Sequence, residues 1–236
     1  MQSLSRQIPF GDAPLRSTPE GRQRVWDLPT RLFHWLLAAL IVFSWWSVRN
    51  HHTDWHIWSG IGILTLLLFR LLWGFVGGST ARFTSFVRGP ASIVAHLRGR
   101  WNGIGHTPLG ALSVLAILAA VTVQVGFGLL SQDEDGIYAG PLSRLVSSDT
   151  SDLARDIHEL WFNVVLGLIG LHILAIVYYR LFRGMKLTKP MITGRADLEP
   201  GTAPMRPAKW WVAVVCLGLA LAVSRWIVAG APPFSP

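Results

Sequence analysis

The stretch RDIHELWFNVVLGLIGLHILAIVYYR, residues 155–180, is one long apolar run that contains two histidines, His158 and His172. A helix that spans a bilayer needs about 20 apolar residues, and this run is long enough. A titratable side chain inside a bilayer is costly, so it is a functional candidate by default. The stretch therefore predicts a membrane helix whose two histidines are candidates for binding a ligand.

The composition of the whole chain is also typical of a membrane protein. Of its 236 residues, 51% are hydrophobic and only 14% are charged, with a mean hydropathy of +0.40. Soluble domains carry about 25% charged residues. Cys216 is the single cysteine, which excludes an intrachain disulfide and covalent haem attachment through a CxxCH motif.

Five stretches are long and apolar enough, or nearly so, to span a bilayer. They are residues 32–48, 56–76, 109–130, 157–179 and 210–229. Pro29 suits the first turn of the first span, and Thr107 followed by Pro108 suits the start of the third. We therefore expect an all-α membrane protein, with a four-helix transmembrane bundle and a fifth C-terminal transmembrane helix.

Arginine and lysine concentrate in alternate loops. They are frequent in the N-terminal tail and in loops 77–106 and 180–209, whereas 131–156 carries six acids against two arginines. By the positive-inside rule, the N-terminus lies in the cytoplasm and the C-terminus outside. The same rule explains the net charge of +8, so we expect no nucleic-acid partner.

The spans and loops divide the chain into four predicted parts. Residues 1–22 form a cytoplasmic tail, and 23–185 form the four-helix domain. Residues 186–208, with their Gly, Pro and Thr, form a cytoplasmic linker. Residues 209–236 form the fifth helix and the outer C-terminus.

Four histidines sort into two membrane depths. His158 and His172 are 14 residues apart, close to four helical turns, so they project from nearly the same face, about 21 Å apart. His56 opens the second span on the outer side, and His34 lies near the inner end of the first. The expected pairs are His56 with His158 and His34 with His172, each drawn from two helices.

Two imidazoles on facing helices suit haem iron, which takes axial histidine ligands in bundle cores. Two such sites at two depths would form an electron path across the bilayer. Zinc fits less well because it prefers four close ligands. For any single histidine, a hydrogen bond to a neighbouring helix is the alternative. That alternative explains poorly why four histidines fall into two pairs of matching depth.

Small residues lie beside these histidines. They are Gly60 and Gly62 after His56, and Gly167 and Gly170 between the helix-four histidines. Glycines would let a cofactor pack closely, although ordinary helix–helix contact is the alternative.

Several motifs resemble those of the bacterial cytochrome b561 family. They are RVWDLPTRLFHW at 24–35, GHTPLGAL at 105–112, GPL at 140–142 and IHELWFNVVLGLIGLHILAIVYY at 157–179. That family includes the cytochrome b subunits of nickel–iron hydrogenases and related dihaem quinone oxidoreductases.

The resemblance implies a four-helix bundle in a bacterial inner membrane that binds two b haems. The ligands that it implies are His34, His56, His158 and His172, the same four residues that the depths select. It also implies a quinone. The fifth helix has no counterpart in the family's four-helix core.

Three further residues are candidate contacts of a cofactor at the inner level: Arg31, Arg70 and His106. Guanidinium binds carboxylate through two parallel hydrogen bonds, which suits Arg31 and Arg70 to haem propionates. His106 lies at the start of the third span, where it could contact a quinone or a propionate. The alternative for His106 is a partner for the free backbone groups that every helix terminus presents.

We therefore expect a dihaem b-type cytochrome that carries electrons between a redox partner and the membrane quinone pool. The partner would be a hydrogenase, a dehydrogenase or a cytochrome c. One alternative is a stand-alone oxidoreductase that acts on superoxide or quinol. Another is a non-redox membrane scaffold or metal transporter.

Overall fold

The computed structural model describes residues 22–87, 89–98, 104–198 and 204–231. All but the last residue of the predicted N-terminal tail lies outside the described residues. Within them the chain runs β1 Arg22–Arg24, α1 Leu28–Arg49, α2 Thr53–Val76, α3 Phe83–Phe86, α4 Pro90–Leu97, α5 Pro108–Leu130, a 3-10 turn at Ser143–Leu145, α6 Ser148–Phe182, α7 Thr188–Thr193, β2 Arg195–Asp197 and α8 Trp210–Val228.

Five of the described helices are long and apolar enough to cross a membrane: α1, α2, α5, α6 and α8. They coincide with the five spans expected from the sequence. The prediction of an all-α membrane protein with five spanning helices is confirmed.

Side-chain caps define where two of these helices begin. The Asp27 carboxylate accepts the Thr30 backbone N–H at 2.8 Å and starts α1. The Thr107 hydroxyl accepts the Gly110 N–H at 3.0 Å and starts α5. Each cap satisfies a donor that the first helical turn leaves free, so these two starts are encoded locally.

Helix α6 begins earlier than its apolar run suggests. Ser147 caps it by accepting the Thr150 N–H at 3.3 Å, so the helix starts at Ser148 and the predicted span only at 157. Its 35 residues extend over about 52 Å, more than the ~30 Å hydrocarbon core. The first turns are polar, and hydropathy alone does not mark them as helix.

The spanning helices pack mainly in neighbouring pairs. α1 packs on α2, α5 packs on α6, and α2 also contacts α5 and α8. Buried Cys216 and Ala220 of α8 belong to the shared apolar core, and Thr65 of α2 donates to Ser224 of α8 at 2.8 Å. The fifth helix is therefore packed on α2.

A short two-stranded ribbon joins the segment before α1 to the segment after α7. β1 pairs antiparallel with β2, and the Gly194 carbonyl accepts the N–H groups of Val25 and Trp26 at 2.8 and 3.2 Å. Part of the segment expected to be a linker, 186–208, thus forms α7 and β2 and lies against the start of α1. Strands of three residues are too short to show a hydrophobic period, which is why the sequence did not reveal them.

Candidate functional site

The outer histidines meet between α2 and α6. The ring centroids of His56 and His158 are 5.9 Å apart, with ring planes at 89°. The Nδ1 atom of His56 lies 3.0 Å from the Ser44 carbonyl oxygen, and Nδ1 of His158 lies 2.8 Å from the Gln124 carbonyl oxygen. A carbonyl oxygen only accepts, so Nδ1 carries the hydrogen in both rings. Both Nε2 atoms therefore keep a lone pair that can bind a metal.

Gln124 bonds His158 a second time. The Gln124 side-chain Nε2 donates to the His158 backbone carbonyl at 2.9 Å, while the Gln124 backbone carbonyl accepts from the His158 imidazole. Two reciprocal hydrogen bonds thus hold α5 against α6 at the level of the outer pair. Backbone carbonyls that bond the second ring nitrogen are the usual way in which proteins orient metal-binding histidines.

The inner histidines meet between α1 and α6. The ring centroids of His34 and His172 are 6.5 Å apart, with ring planes at 52°. Nδ1 of His172 lies 3.3 Å from the Ser113 hydroxyl. Nδ1 of His34 is buried and has no hydrogen-bond partner among the described residues. The inner pair is therefore less strongly oriented than the outer pair.

The spacing within each pair fits one metal ion between two imidazoles. A metal–imidazole bond is about 2 Å and a ring centroid lies about 1 Å behind its nitrogen, so two axial ligands place their centroids roughly 6 Å apart. The observed 5.9 and 6.5 Å agree with that value. Among the described residues no group of three or more His, Cys, Asp or Glu side chains could hold a metal. The donor set thus suits a cofactor that brings its own equatorial ligands, as haem does.

The four glycines near the histidines have three different surroundings. Gly60 lies one turn from His56 on the same helix face, and a β-carbon there would meet no protein atom within 4 Å. Gly167 is about 180° around α6 from His158, so it faces away from the histidines, and Gly170 does likewise. Neither borders the histidine face of α6, whose midpoint is the buried Val165. Gly62 contacts Leu40 of α1, an ordinary helix–helix contact.

A buried basic and aromatic cluster lies near the inner pair. The Arg70 guanidinium sits 4.8 Å from the Phe83 ring centroid, and the His106 ring is 4.6 Å from both Trp26 and Phe86. Nη1 of Arg70 and Nδ1 of His106 are buried without a hydrogen-bond partner among the described residues. Two orphaned polar atoms, on groups that both lie near the Phe86 ring, indicate a polar group that the described residues do not supply.

His106 is uncharged in this cluster. Burial lowers the pKa of His106 to about 3, and the positive charge of Arg70 is the next largest cause. At neutral pH it therefore offers a neutral imidazole, while Arg70 supplies the cation. Arg31 points elsewhere: its Nη1 donates to the Ile192 carbonyl oxygen in α7.

Sequence reasoning did not find the residues that orient the histidines. These are Ser44, Ser113 and Gln124. Ser113 acts through its hydroxyl, and its one available signal was that it is a polar residue inside an apolar span. Ser44 and Gln124 act through backbone carbonyls, which the residue type does not reveal. Their partners come from other helices, so sequence spacing could not identify them.

Comparison with known protein families gives a match over most of the chain. The model of a family described as prokaryotic cytochrome b561 matches residues 25–194. The matched region runs from just before α1 to the end of α7, so it contains all four paired histidines and precedes α8. No curated protein and no solved structure matches the chain.

Proposed function

This chain belongs to the prokaryotic cytochrome b561 family, and from that membership we propose that it binds two b haems and carries electrons between a redox partner and the quinone pool. The family binds b-type haem, and the chain is a multi-pass bacterial membrane protein that takes part in electron transfer. One observation supports two haems in particular. The histidines form two separate pairs, each with the spacing of axial ligands.

In this proposal His56 and His158 bind the outer haem, and His34 and His172 bind the inner one. Bound haem supplies a one-electron ferric/ferrous couple. The chain contributes the axial nitrogens and their orientation, and its apolar helices keep water away from the path. α6 contributes to both sites, so its rigidity sets the distance between them.

Arg70 and His106 are proposed contacts of the inner cofactor edge. A propionate is a carboxylate, and it would give the unpaired Nη1 of Arg70 a charge-assisted partner. Neutral His106 would hydrogen-bond a propionate or a quinone through its orphaned Nδ1. Arg31 is not among these proposed cofactor contacts, because its hydrogen bond to the Ile192 carbonyl holds it against α7.

The proposed orientation places the N-terminus in the cytoplasm and the C-terminus in the periplasm, from the loop charges. Residues 23–185 would form the haem-binding domain, with 209–236 as an added spanning helix. The acid-rich loop predicted on the outer side, residues 131–156, would dock the redox partner. That partner would be a hydrogenase, a dehydrogenase or a cytochrome c. The acids of this loop are partly neutralised, since Arg155 lies 3.4 Å from Asp152 and 4.0 Å from Glu134.

The test is haem content and reduced-minus-oxidised spectra of the full chain purified in detergent. We expect His158→Ala and His172→Ala each to lose one of two haems, and to leave different spectral components. The matched control is His51→Asn, at an exposed outer-loop histidine with φ 60°, a conformation that Asn tolerates. One remaining haem in each ligand variant would also show that the fold survives.

A colourless parent protein would overturn the haem assignment and return the histidines to a scaffold or transport role. A single haem in the parent would overturn the two-site proposal. Quinol or superoxide turnover by the isolated chain would favour the stand-alone oxidoreductase. Co-purification with a redox protein, with little turnover alone, supports the partner-dependent function.

A further inference from the structure

A cavity of about 430 Å³ opens beside the start of α1, and none of the four paired histidines lines it. Four of the side chains that line it are arginines: Arg22, Arg24, Arg31 and Arg195. None of the described residues that line it is acidic. We call this cavity the arginine pocket.

The ribbon places two of these arginines directly opposite each other. In the antiparallel pairing of β1 with β2, Arg24 faces Arg195. Like charges at directly opposed positions destabilise a strand pair, and a ribbon of three residues per strand is marginal by itself. Asp197, on β2, lies 3.7 Å from Arg22, but both side chains are largely exposed and the pair is weak. Among the described residues, no acidic side chain forms an ion pair with either of the two facing arginines.

The Arg31 side chain is held in the pocket wall by the backbone at Ile192 and Gly194. Its Nη1 donates to the Ile192 carbonyl, and its Nε is buried without a partner among the described residues. A β-carbon at Gly194 would lie 3.2 Å from both Cζ and Nε of Arg31, and Gly194 has φ 78°. Both the close approach and the left-handed backbone favour glycine there. The guanidinium is thus fixed in place with an unused donor.

We propose that the arginine pocket binds a phosphate group, supplied either by an anionic phospholipid headgroup or by a soluble phosphate compound. Guanidinium matches phosphate oxygens through two parallel hydrogen bonds. A phosphate between Arg24 and Arg195 would replace their repulsion with two attractions. Leu28, the first residue of a membrane-spanning helix, also lines the pocket, which puts it at the level where lipid headgroups lie. This inference goes beyond electron transfer and needs no haem ligand.

The experiment measures binding and thermal stability of the full chain, delipidated in neutral detergent. One arm adds phosphatidylglycerol in mixed micelles, with phosphatidylcholine as the uncharged comparison, and the other adds inorganic phosphate. The variants are Arg195→Ala and Arg24→Ala. The control is Arg183→Ala, which removes an exposed arginine outside the pocket after α6.

We expect the anionic probe to raise the Tm of the parent and of the control. Each pocket variant should bind it at least about tenfold more weakly, since one charged hydrogen-bond donor is lost. Without any phosphate, Arg195→Ala should be at least as stable as the parent, because the facing like charge is gone. A response to phosphatidylglycerol but not to phosphate identifies a lipid site, and the reverse identifies a soluble ligand.

Three results would overturn the proposal. One is a parent that responds to neither probe, and another is a pocket variant that binds as well as the parent. The third is loss of the inner haem from both pocket variants in the reduced-minus-oxidised spectrum. That loss would assign the pocket to the carboxylates of the cofactor.

Discussion

Gly128 of α5 lies directly against the imidazole of His158: a β-carbon at Gly128 would stand 2.8 Å from Cε1 and 3.0 Å from Nδ1 of that ring. Any larger residue would push the ring away. The glycine therefore permits the close approach that lets His158 reach the Gln124 carbonyl, one turn earlier on α5. The orientation of a proposed haem ligand thus depends on a residue with no side chain.

Gly128→Ala should therefore disturb the proposed outer haem selectively. We expect loss or shift of the outer haem signal and about 1–3 kcal/mol lower stability, because the added methyl overpacks the site. The control is Gly126→Ala on the same helix, where a β-carbon meets no atom within 4 Å. That control should keep both haems and gain up to about 1 kcal/mol from its better helix propensity. Similar spectra for the two variants would contradict the prediction.

Ser113→Ala should raise the midpoint potential of the inner haem. With Nε2 bound to iron, Nδ1 of His172 donates to the Ser113 hydroxyl, and this hydrogen bond makes the ligand more basic. Its loss should destabilise the ferric form by about 1 kcal/mol, or roughly 40 mV for one electron. A potentiometric titration followed in the haem spectrum measures this. Ser113→Thr retains the hydroxyl and serves as the control, and a shift in the outer haem instead would show that the pairs are misassigned.

Asp27→Ala should destabilise the start of α1 and its contact with α2 together. Its carboxylate caps the helix through the Thr30 N–H and accepts the Trp73 indole N–H at 3.3 Å. We expect a loss of about 1–3 kcal/mol, seen as a lower Tm in detergent. Asp54→Ala, at an exposed acid in the first turn of α2, should change stability by no more than about 0.5 kcal/mol. Equal effects of the two substitutions would argue against the capping role.

His106 should make stability fall as the pH is lowered. Its folded pKa of about 3 lies below the ordinary histidine value of 6.5, so the unfolded chain binds the proton more readily between these pH values. Above about pH 7, His106 makes the free energy of unfolding no more dependent on pH. Below about pH 6.5, it lowers the free energy of unfolding by about 1.4 kcal/mol for each pH unit. Between pH 7 and pH 5, the free energy of unfolding of the parent should therefore fall by roughly 2 kcal/mol through His106. The His106→Gln variant should not show this loss. Parallel Tm–pH curves for the two proteins would refute this.

Local and periodic features were predictable from the sequence. Apolar length indicated the five spans, and Pro29 and Thr107 indicated two helix starts, because both residues act within the first turn of a helix. The Asp27 cap of the first helix was found only in the structure. The family also followed from motifs that the comparison confirmed. Helix rise and rotation were enough to predict which histidines would face each other, since both numbers are nearly constant along a helix. The same rotation, applied to Gly167, would have shown that it faces away from them.

Contacts between distant segments were decided by the tertiary structure. The Nδ1 partners of the histidines, the approach of Gly128 to His158 and the pairing of Arg24 with Arg195 join residues from different elements. No sequence period encodes such contacts, because they depend on how two helices or strands meet rather than on the geometry of one. The sequence by itself determined the helices and the depth of each histidine. Packing decided how the imidazoles are turned and where the arginines converge, because both depend on groups supplied by a neighbouring element.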